Sequence, residues 1–188
     1  EEIEKIASIY KSNHPNVYIQ KRASEENFKA LKSPSILHIA THGFFLADQS
    51  NDDIKIGFGK RMVKTVLANS SPKINIENPL LLSGIALSGV NRIAKGELDD
   101  QSEDGLATAM EVSGMDLHGT DLVVLSACDT GVGETSKGQG VLGLRRAFQQ
   151  AGARSLVTSL WKIPDEETRD LMVQFYGRLY DKQSKLSA

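Results

Sequence analysis

The only cysteine of the chain, Cys128, follows a run of apolar residues and precedes a turn-prone Asp-Thr-Gly segment. A free cysteine has a pKa near ~8.5, so it forms little nucleophilic thiolate at neutral pH without a base. His42 offers such a base, because an imidazole at hydrogen-bond distance takes the thiol proton and later protonates a leaving amine. Gly43 has no side chain to obstruct its backbone N–H, so the N–H groups of Gly43 and Cys128 could together hold an oxyanion.

Two predicted strands would position these groups. Residues 122–125 form a short apolar run bounded by turn signals, which is typical of a strand buried on both faces of a parallel sheet. Residues 35–40 show the same pattern and end in Thr41-His42-Gly43. Because neighbouring parallel strands align their carboxyl ends, where open α/β sheets place catalytic groups, we expect His42 and Cys128 to lie close together.

The remaining pattern alternates helices and strands, which predicts an α/β fold built from right-handed βαβ units. Ser24 is expected to cap a helix, and Gly152 to end another that starts near residue 141. The other predicted elements are an opening helix ending near residue 13, a short strand at 17–19, strand-like pieces at 79–82 and 85–87, helical character at 106–112, a strand at 155–160 and a last helix from residue 165 with Leu171, Met172, Phe175, Tyr176 and Leu179 on its buried face. The pattern weakens over 44–78, which predicts a mobile loop or a small hairpin.

Composition limits the possible partners. With 188 residues the chain has the size of one domain, and its net charge of −2 gives no electrostatic case for binding nucleic acid or an anionic membrane. No apolar run approaches the ~20 residues of a membrane span, and the first residues do not resemble a signal peptide. One cysteine cannot form an internal disulfide, which favours a reducing, cytoplasmic setting. No cofactor and no metal are expected.

Plainer interpretations compete for the same residues. A lone cysteine in an apolar run is usually an inert, buried small hydrophobe. His38 falls within its apolar run and is expected to pack or hydrogen-bond in the core. A metal site of His38 and His42 is disfavoured, because two residues four apart on a strand are separated by ~13 Å. His14 and His118 lie in turn-like contexts and are expected at the surface.

Residues 138–143 satisfy the G-x-G-x-x-G pattern of dinucleotide-binding proteins and open a predicted helix. That fingerprint must follow its strand directly, whereas here about ten residues intervene after Cys128. The next strand ends in Trp161 rather than in an acidic residue. Nucleotide binding is therefore disfavoured.

Longer motifs surround these residues: ILHIATHG (36–43), DGL (104–106) with Glu111, DLVVLSACDTG (121–131), GQGVLGLRRAF (138–148), AGA (151–153) and SLWKIPD (159–165). Together they resemble the CHAT domains, caspase-like members of the separase–caspase group of cysteine peptidases. The resemblance covers nearly the whole chain.

The resemblance implies a caspase-like three-layer α/β/α sandwich with a mostly parallel central sheet and a catalytic dyad of His42 and Cys128. It also implies that Trp161 and Asp165 border the substrate cleft. Asp129 is a hypothetical determinant that would favour a basic residue before the scissile bond. In this family the domain commonly follows helical repeats in a larger protein, and some members are proteases switched on by a partner.

We therefore predict a single CHAT domain over residues 1–188, truncated at both ends and excised from a larger protein. Its predicted function is that of a cysteine endopeptidase that cleaves protein substrates through an acyl-enzyme and is regulated by the parent protein or by a partner. The alternative is a catalytically silent interaction module that keeps the fold and binds proteins through the same cleft.

Overall fold

The structure is a computed structural model that describes residues 1–45, 79–81, 83–90, 92, 103–126, 139–159 and 164–181. Contacts divide the chain into two compact units, Gln20–Lys162 and a smaller one made of Glu1–Ile19 and Ile163–Ala188. His42 belongs to the larger unit.

The described part of the chain contains both helices and strands. They are α1 (Glu2–Ile9), α2 (Glu25–Lys29), β1 (Ile36–Ala40), β2 (His42–Phe45), β3 (Ser83–Ala86), β4 (Leu106–Thr108), α3 (Ala109–Ser113), β5 (Leu122–Ser126), α4 (Gln139–Gln150), β6 (Leu156–Thr158) and α5 (Asp165–Tyr180). Short 3-10 turns lie at Lys11–Asn13, Gln20–Arg22 and Pro79–Leu81.

A parallel sheet with strand order β1-β5-β6 lies in the larger unit. The register of β1 on β5 runs from Ile36 opposite Leu122 to Ala40 opposite Ser126. The first four residues of the central strand β5 are buried, with exposures of 0–2%. The predicted parallel strands are thus confirmed, and for β5 the reason is the one read from sequence: a strand covered on both faces needs a continuous apolar run.

A second sheet is antiparallel and has the strand order β2-β3-β4. Its strand β2 follows β1 after the single residue Thr41. All four residues of β3 are buried. The helical character predicted for 106–112 is wrong at its start, because Leu106–Thr108 pairs with β3 as strand β4 and the helix α3 begins only at Ala109. The strand-like piece at 79–82 is also corrected, since Pro79–Leu81 is a 3-10 turn.

The core of this unit joins the helices to both sheets. Phe148 of α4 and Val112 of α3 are fully buried, and they belong to the same cluster as Val123 and Ile85 from the two sheets. A mixed α/β unit whose parallel sheet is flanked by helices agrees with the predicted caspase-like sandwich.

Two predicted helix ends are confirmed. The Ser24 hydroxyl accepts the N–H of Asn27 at 3.4 Å and caps α2. Helix α4 ends at Gln150, and Gly152 follows with φ +106°, a left-handed conformation that favours glycine. A Cβ at Gly152 would also lie 2.9 Å from the backbone nitrogen of His118.

The smaller unit packs α1 against α5. Ile6, Phe175 and Tyr176 are buried, and the Tyr10 ring meets Tyr176 edge-on at 5.9 Å between centroids. The predicted buried face of α5 is wrong at Leu171, which is 55% exposed.

The ends of the predicted N-terminal elements also differ. The regular turns of α1 end at Ile9, and a 3-10 turn carries the chain on to Asn13. The strand predicted at 17–19 is irregular, with Tyr18 and Ile19 exposed. A β-rich run of only three residues gains too little to form a strand by itself.

Candidate active site

His42 is the first residue of β2, and the pairing of β2 with β3 fixes its backbone. Its Cα partner is Ala86, and the next pair is Gly43 with Ile85. The Thr41 hydroxyl donates a hydrogen bond to the Ala86 carbonyl, which ties the junction of the two sheets to the same residue. The His42 side chain is exposed, whereas Gly43 is buried.

The strand predicted to carry the cysteine ends where its sequence pattern indicated. Ser126 is the last residue of β5 and lies opposite Ala40, the last residue of β1. His42 comes two residues after Ala40, and Cys128 comes two residues after Ser126 in the sequence. Cys128 itself lies outside the described residues, so its approach to His42 stays a prediction.

The three candidate cleft residues are not brought together by the described part of the chain. Asp129 and Trp161 lie outside the described residues. Asp165 is the first residue of α5 and belongs to the smaller unit. Their contribution to a substrate cleft therefore stays a prediction.

The other histidines occupy the environments that the sequence indicated. His38 lies in the middle of β1, half-buried, with Val124 as its Cα partner on β5. His14 and His118 are exposed, and the His118 Nδ1 lies 3.4 Å from a carboxylate oxygen of Asp116.

A group of charged residues at the ends of β4 was missed by the sequence analysis. The Lys29 ammonium lies 2.6 Å from Glu25 Oε1, 2.7 Å from Glu111 Oε1 and 3.0 Å from Glu103 Oε2. Glu25 is only 1% exposed. Its position one turn before Lys29 was the available signal, but i,i+4 ion pairs are common on exposed helices and do not reveal burial.

Two of these carboxylates each use their second oxygen to accept a backbone hydrogen bond, one at each end of β4. Glu25 Oε2 accepts the N–H of Gly105, the residue before β4, at 2.8 Å. Glu111 Oε2 accepts both the N–H and the hydroxyl of Thr108, the last residue of β4, each at 2.8 Å. Thr108 in turn accepts the N–H of Glu111, which completes a capping box at the start of α3.

Burial and neighbouring charges shift the pKa values of these residues in different directions. Burial raises the pKa of Glu25 to about 7, against the opposing effect of Lys29 and of the Gly105 N–H. Partial burial of Glu111 is outweighed by its hydrogen bonds from Lys29 and Thr108, so its pKa lies below the usual range. Partial burial of Lys29 is likewise outweighed by its three carboxylate partners, which raise its pKa.

The carboxylate oxygens of Glu25, Glu103 and Glu111 lie within 4.8 Å of one another, a spacing that could suit a cation. The Lys29 ammonium already contacts all three. It therefore supplies the positive charge that a metal ion would bring, and these residues do not fit a metal site while Lys29 is in place.

The family model of the CHAT domain matches residues 1–188, the whole chain. The chain therefore belongs to the CHAT domain family, a caspase-like family. No curated protein and no solved structure matched it. Among the helices in the described residues, none is long and apolar enough to cross a membrane.

Proposed function

We propose that this domain is a cysteine endopeptidase that uses Cys128 as nucleophile and His42 as base. The observation that carries the proposal is the register of β1 on β5, which sets Ala40 opposite Ser126. The two candidate residues follow these paired positions by the same number of residues. Membership of a caspase-like family supports the same assignment.

In the proposed reaction, His42 takes the proton of the Cys128 thiol, and the sulfur attacks the carbonyl carbon of the scissile peptide bond. The N–H groups of Gly43 and Cys128 hold the negative charge that develops on the carbonyl oxygen. When the C–N bond breaks, the departing amine takes the proton from His42 and a thioester remains. His42 then removes a proton from water, which attacks the thioester, and the released thiol regains its proton.

The exposure of the His42 side chain suits this role, because a base must be reached by both the substrate and water. A reducing compartment keeps a nucleophilic thiol free of disulfide formation, which fits the proposed cytoplasmic location. Trp161 and Asp165 are proposed to border the substrate cleft, and Asp129 to favour a basic residue before the scissile bond.

The test is labelling of the full-length parent protein by a thiol-directed peptide probe, together with hydrolysis of a peptide library. Cys128→Ala should abolish both, and His42→Gln should slow labelling by roughly 10²–10⁴-fold. His38→Gln and His118→Gln serve as controls that keep near-normal rates. Labelling that survives both Cys128→Ala and His42→Gln would show that the proposed dyad is not the reactive site.

Regulation by the parent protein is part of the proposal, since the domain is expected beside a helical-repeat region. Substrate profiling of the parent protein with and without candidate protein partners would measure it. Turnover that appears only with a partner supports a switched protease. Partner binding without hydrolysis or probe labelling under any condition would instead identify a silent interaction module.

A further inference from the structure

We propose that Glu25, Lys29 and Glu111 form a charged clamp that positions His42 by holding β4 at both ends. The inference rests on the proposed function in treating His42 as the catalytic base. The three clamp residues touch no reacting atom, so they are positioning residues.

The clamp has a repeated arrangement. Each of the two glutamates gives one carboxylate oxygen to the Lys29 ammonium, at 2.6 Å for Glu25 and 2.7 Å for Glu111. Each gives its other oxygen to a backbone N–H, that of Gly105 before β4 and that of Thr108 at its end. One ammonium group thus fixes both ends of a three-residue strand.

A strand this short has few ladder bonds of its own to resist slipping, so contacts at its ends determine its register. The contact at Gly105 is especially close. A Cβ there would lie 2.4 Å from the Val90 nitrogen, and its φ of +79° is a left-handed conformation. The Gly105 carbonyl also accepts the N–H of Leu87 at 2.7 Å.

The position of β4 reaches His42 through two adjacent strand pairs. Leu106 lies opposite Ala86 on β3, and Ala86 lies opposite His42 on β2. The Thr41 hydroxyl donates to the same Ala86 carbonyl. A shift of β4 would therefore move Ala86, and with it the backbone that carries the imidazole.

The clamp is most deeply buried at its Glu25 end. Glu25 is 1% exposed and its helix is capped by Ser24, so its carboxylate has little freedom to turn away. Asp104 supports the same turn by accepting the N–H of Leu106 at 2.8 Å. Glu103 is more exposed and binds no backbone group in the described contacts, so it adds charge rather than geometry.

The decisive experiment compares Lys29→Met with Lys29→Arg in the full-length parent protein. Methionine keeps the apolar stem and removes the charge, whereas arginine restores the charge and its donors. Lys32→Met, an exposed lysine just after α2, is the matched control. The first readout is the NMR signals of the His42 ring and the Gly43 amide. The second is labelling of Cys128 by a thiol-directed peptide probe, resolved into the binding constant and the maximal rate.

Lys29→Met should shift the His42 and Gly43 signals and lower the maximal labelling rate roughly 10- to 100-fold, the cost of a misplaced catalytic group. The probe's binding constant should change little, and Lys29→Arg should recover most of the rate. Signals and rates equal to those of Lys32→Met would overturn the clamp. So would a loss of rate that arginine does not recover, because an unspecific packing defect behaves in that way.

A second pair of variants covers the case in which Lys29→Met does not fold. Glu25→Gln keeps an acceptor for the Gly105 N–H, whereas Glu25→Leu has a similar size and no acceptor. The clamp requires a larger His42 shift and a slower rate for leucine than for glutamine, and equal effects would contradict it. If even the unmodified protein is not labelled, the proposed peptidase function fails, and the NMR signals alone decide on the clamp.

Discussion

The two sheets of the larger unit are held together in different ways. The parallel sheet is stabilised by apolar burial, with β5 covered on both faces and exposed by no more than 2% over its first four residues. The antiparallel sheet has short strands, and the backbone N–H groups at the two ends of β4 donate hydrogen bonds to two carboxylates that share one ammonium group. The predicted nucleophile follows the first sheet, and the predicted base begins the second.

The two sheets should therefore respond to different kinds of change. A sheet held by dispersion and the hydrophobic effect loses stability according to the buried side-chain volume that a substitution removes. A sheet whose ends depend on a few charge-assisted hydrogen bonds responds to the loss of individual polar groups and to pH. We therefore expect four substitutions to distinguish the sheet stabilised by apolar burial from the sheet stabilised by charge-assisted hydrogen bonds.

The largest effect is expected in the parallel sheet. Leu125→Ala should lower the free energy of unfolding by roughly 2–5 kcal/mol, because the side chain is 2% exposed and its removal leaves a cavity. Chemical denaturation of the variant measures this loss. Leu171→Ala, at an exposed position of α5, is the control and should stay within about 0.5 kcal/mol. A loss of similar size in both variants would contradict burial as the cause.

Gly105→Ala tests the close approach at the start of β4. The left-handed φ and the 2.4 Å contact with the Val90 nitrogen should together cost roughly 3 kcal/mol. Gly114→Ala is a matched control, since Gly114 has φ −88° and its added Cβ would meet its nearest atom at 3.5 Å. That control should be neutral or gain up to about 1 kcal/mol. Thermal unfolding of both variants checks the contrast.

The pH dependence of stability should single out Glu25. Its pKa is raised from 4.5 in the unfolded chain to about 7 in the fold, so its contribution is fully present below 4.5 and is lost as pH rises through 7. The full shift corresponds to roughly 3 kcal/mol, of which about 2 is expected once Lys29 can adjust. Glu25→Gln should flatten the curve of unfolding free energy between pH 4.5 and 7.

The groups that face Glu25 are Lys29, Asp104 and, through the shared ammonium, Glu103 and Glu111. They remain in the variant, so the difference between the two curves isolates Glu25. Glu26→Gln, exposed on the same helix, should leave the curve unchanged. Parallel curves for Glu25→Gln and the unmodified protein would mean that this carboxyl titrates normally in the fold.

The smallest effect is expected at the capping box. Thr108→Ala removes the side chain that accepts the N–H of Glu111, and should cost about 1 kcal/mol. Thr108→Ser keeps the hydroxyl and should recover most of that stability. Denaturation measurements on the two variants check the difference. An equal loss for serine and alanine would assign the effect to the lost methyl group instead.

The parallel sheet could be predicted from sequence because its signal is local. The apolar runs around Ile39 and Val124 contain their own evidence of burial, and the helix ends at Ser24 and Gly152 depend on neighbouring residues. These features need no knowledge of distant contacts.

The antiparallel sheet could not be predicted in the same way. Leu106–Thr108 is strand only because Ser83–Ala86 lies beside it, and its own pattern resembles the helix that follows. Glu25 looks like an ordinary acid in a first helical turn, and only the fold brings Gly105, eighty residues later, to its carboxylate. The sequence could therefore name His42 as a candidate base without revealing what holds its strand.

The single-residue link at Thr41 limits how the length of the chain between β1 and β2 could vary in evolution. Strand β1 ends at Ala40 and β2 begins at His42, so a single residue carries the chain from one sheet to the other. Side chains alternate between the faces of a strand, and His42 is exposed while Gly43 is buried. Insertion or deletion of one residue at this junction would exchange the two positions and turn the imidazole inward. Length changes should therefore be rare at residue 41 and tolerated at the irregular, exposed residues 14–16.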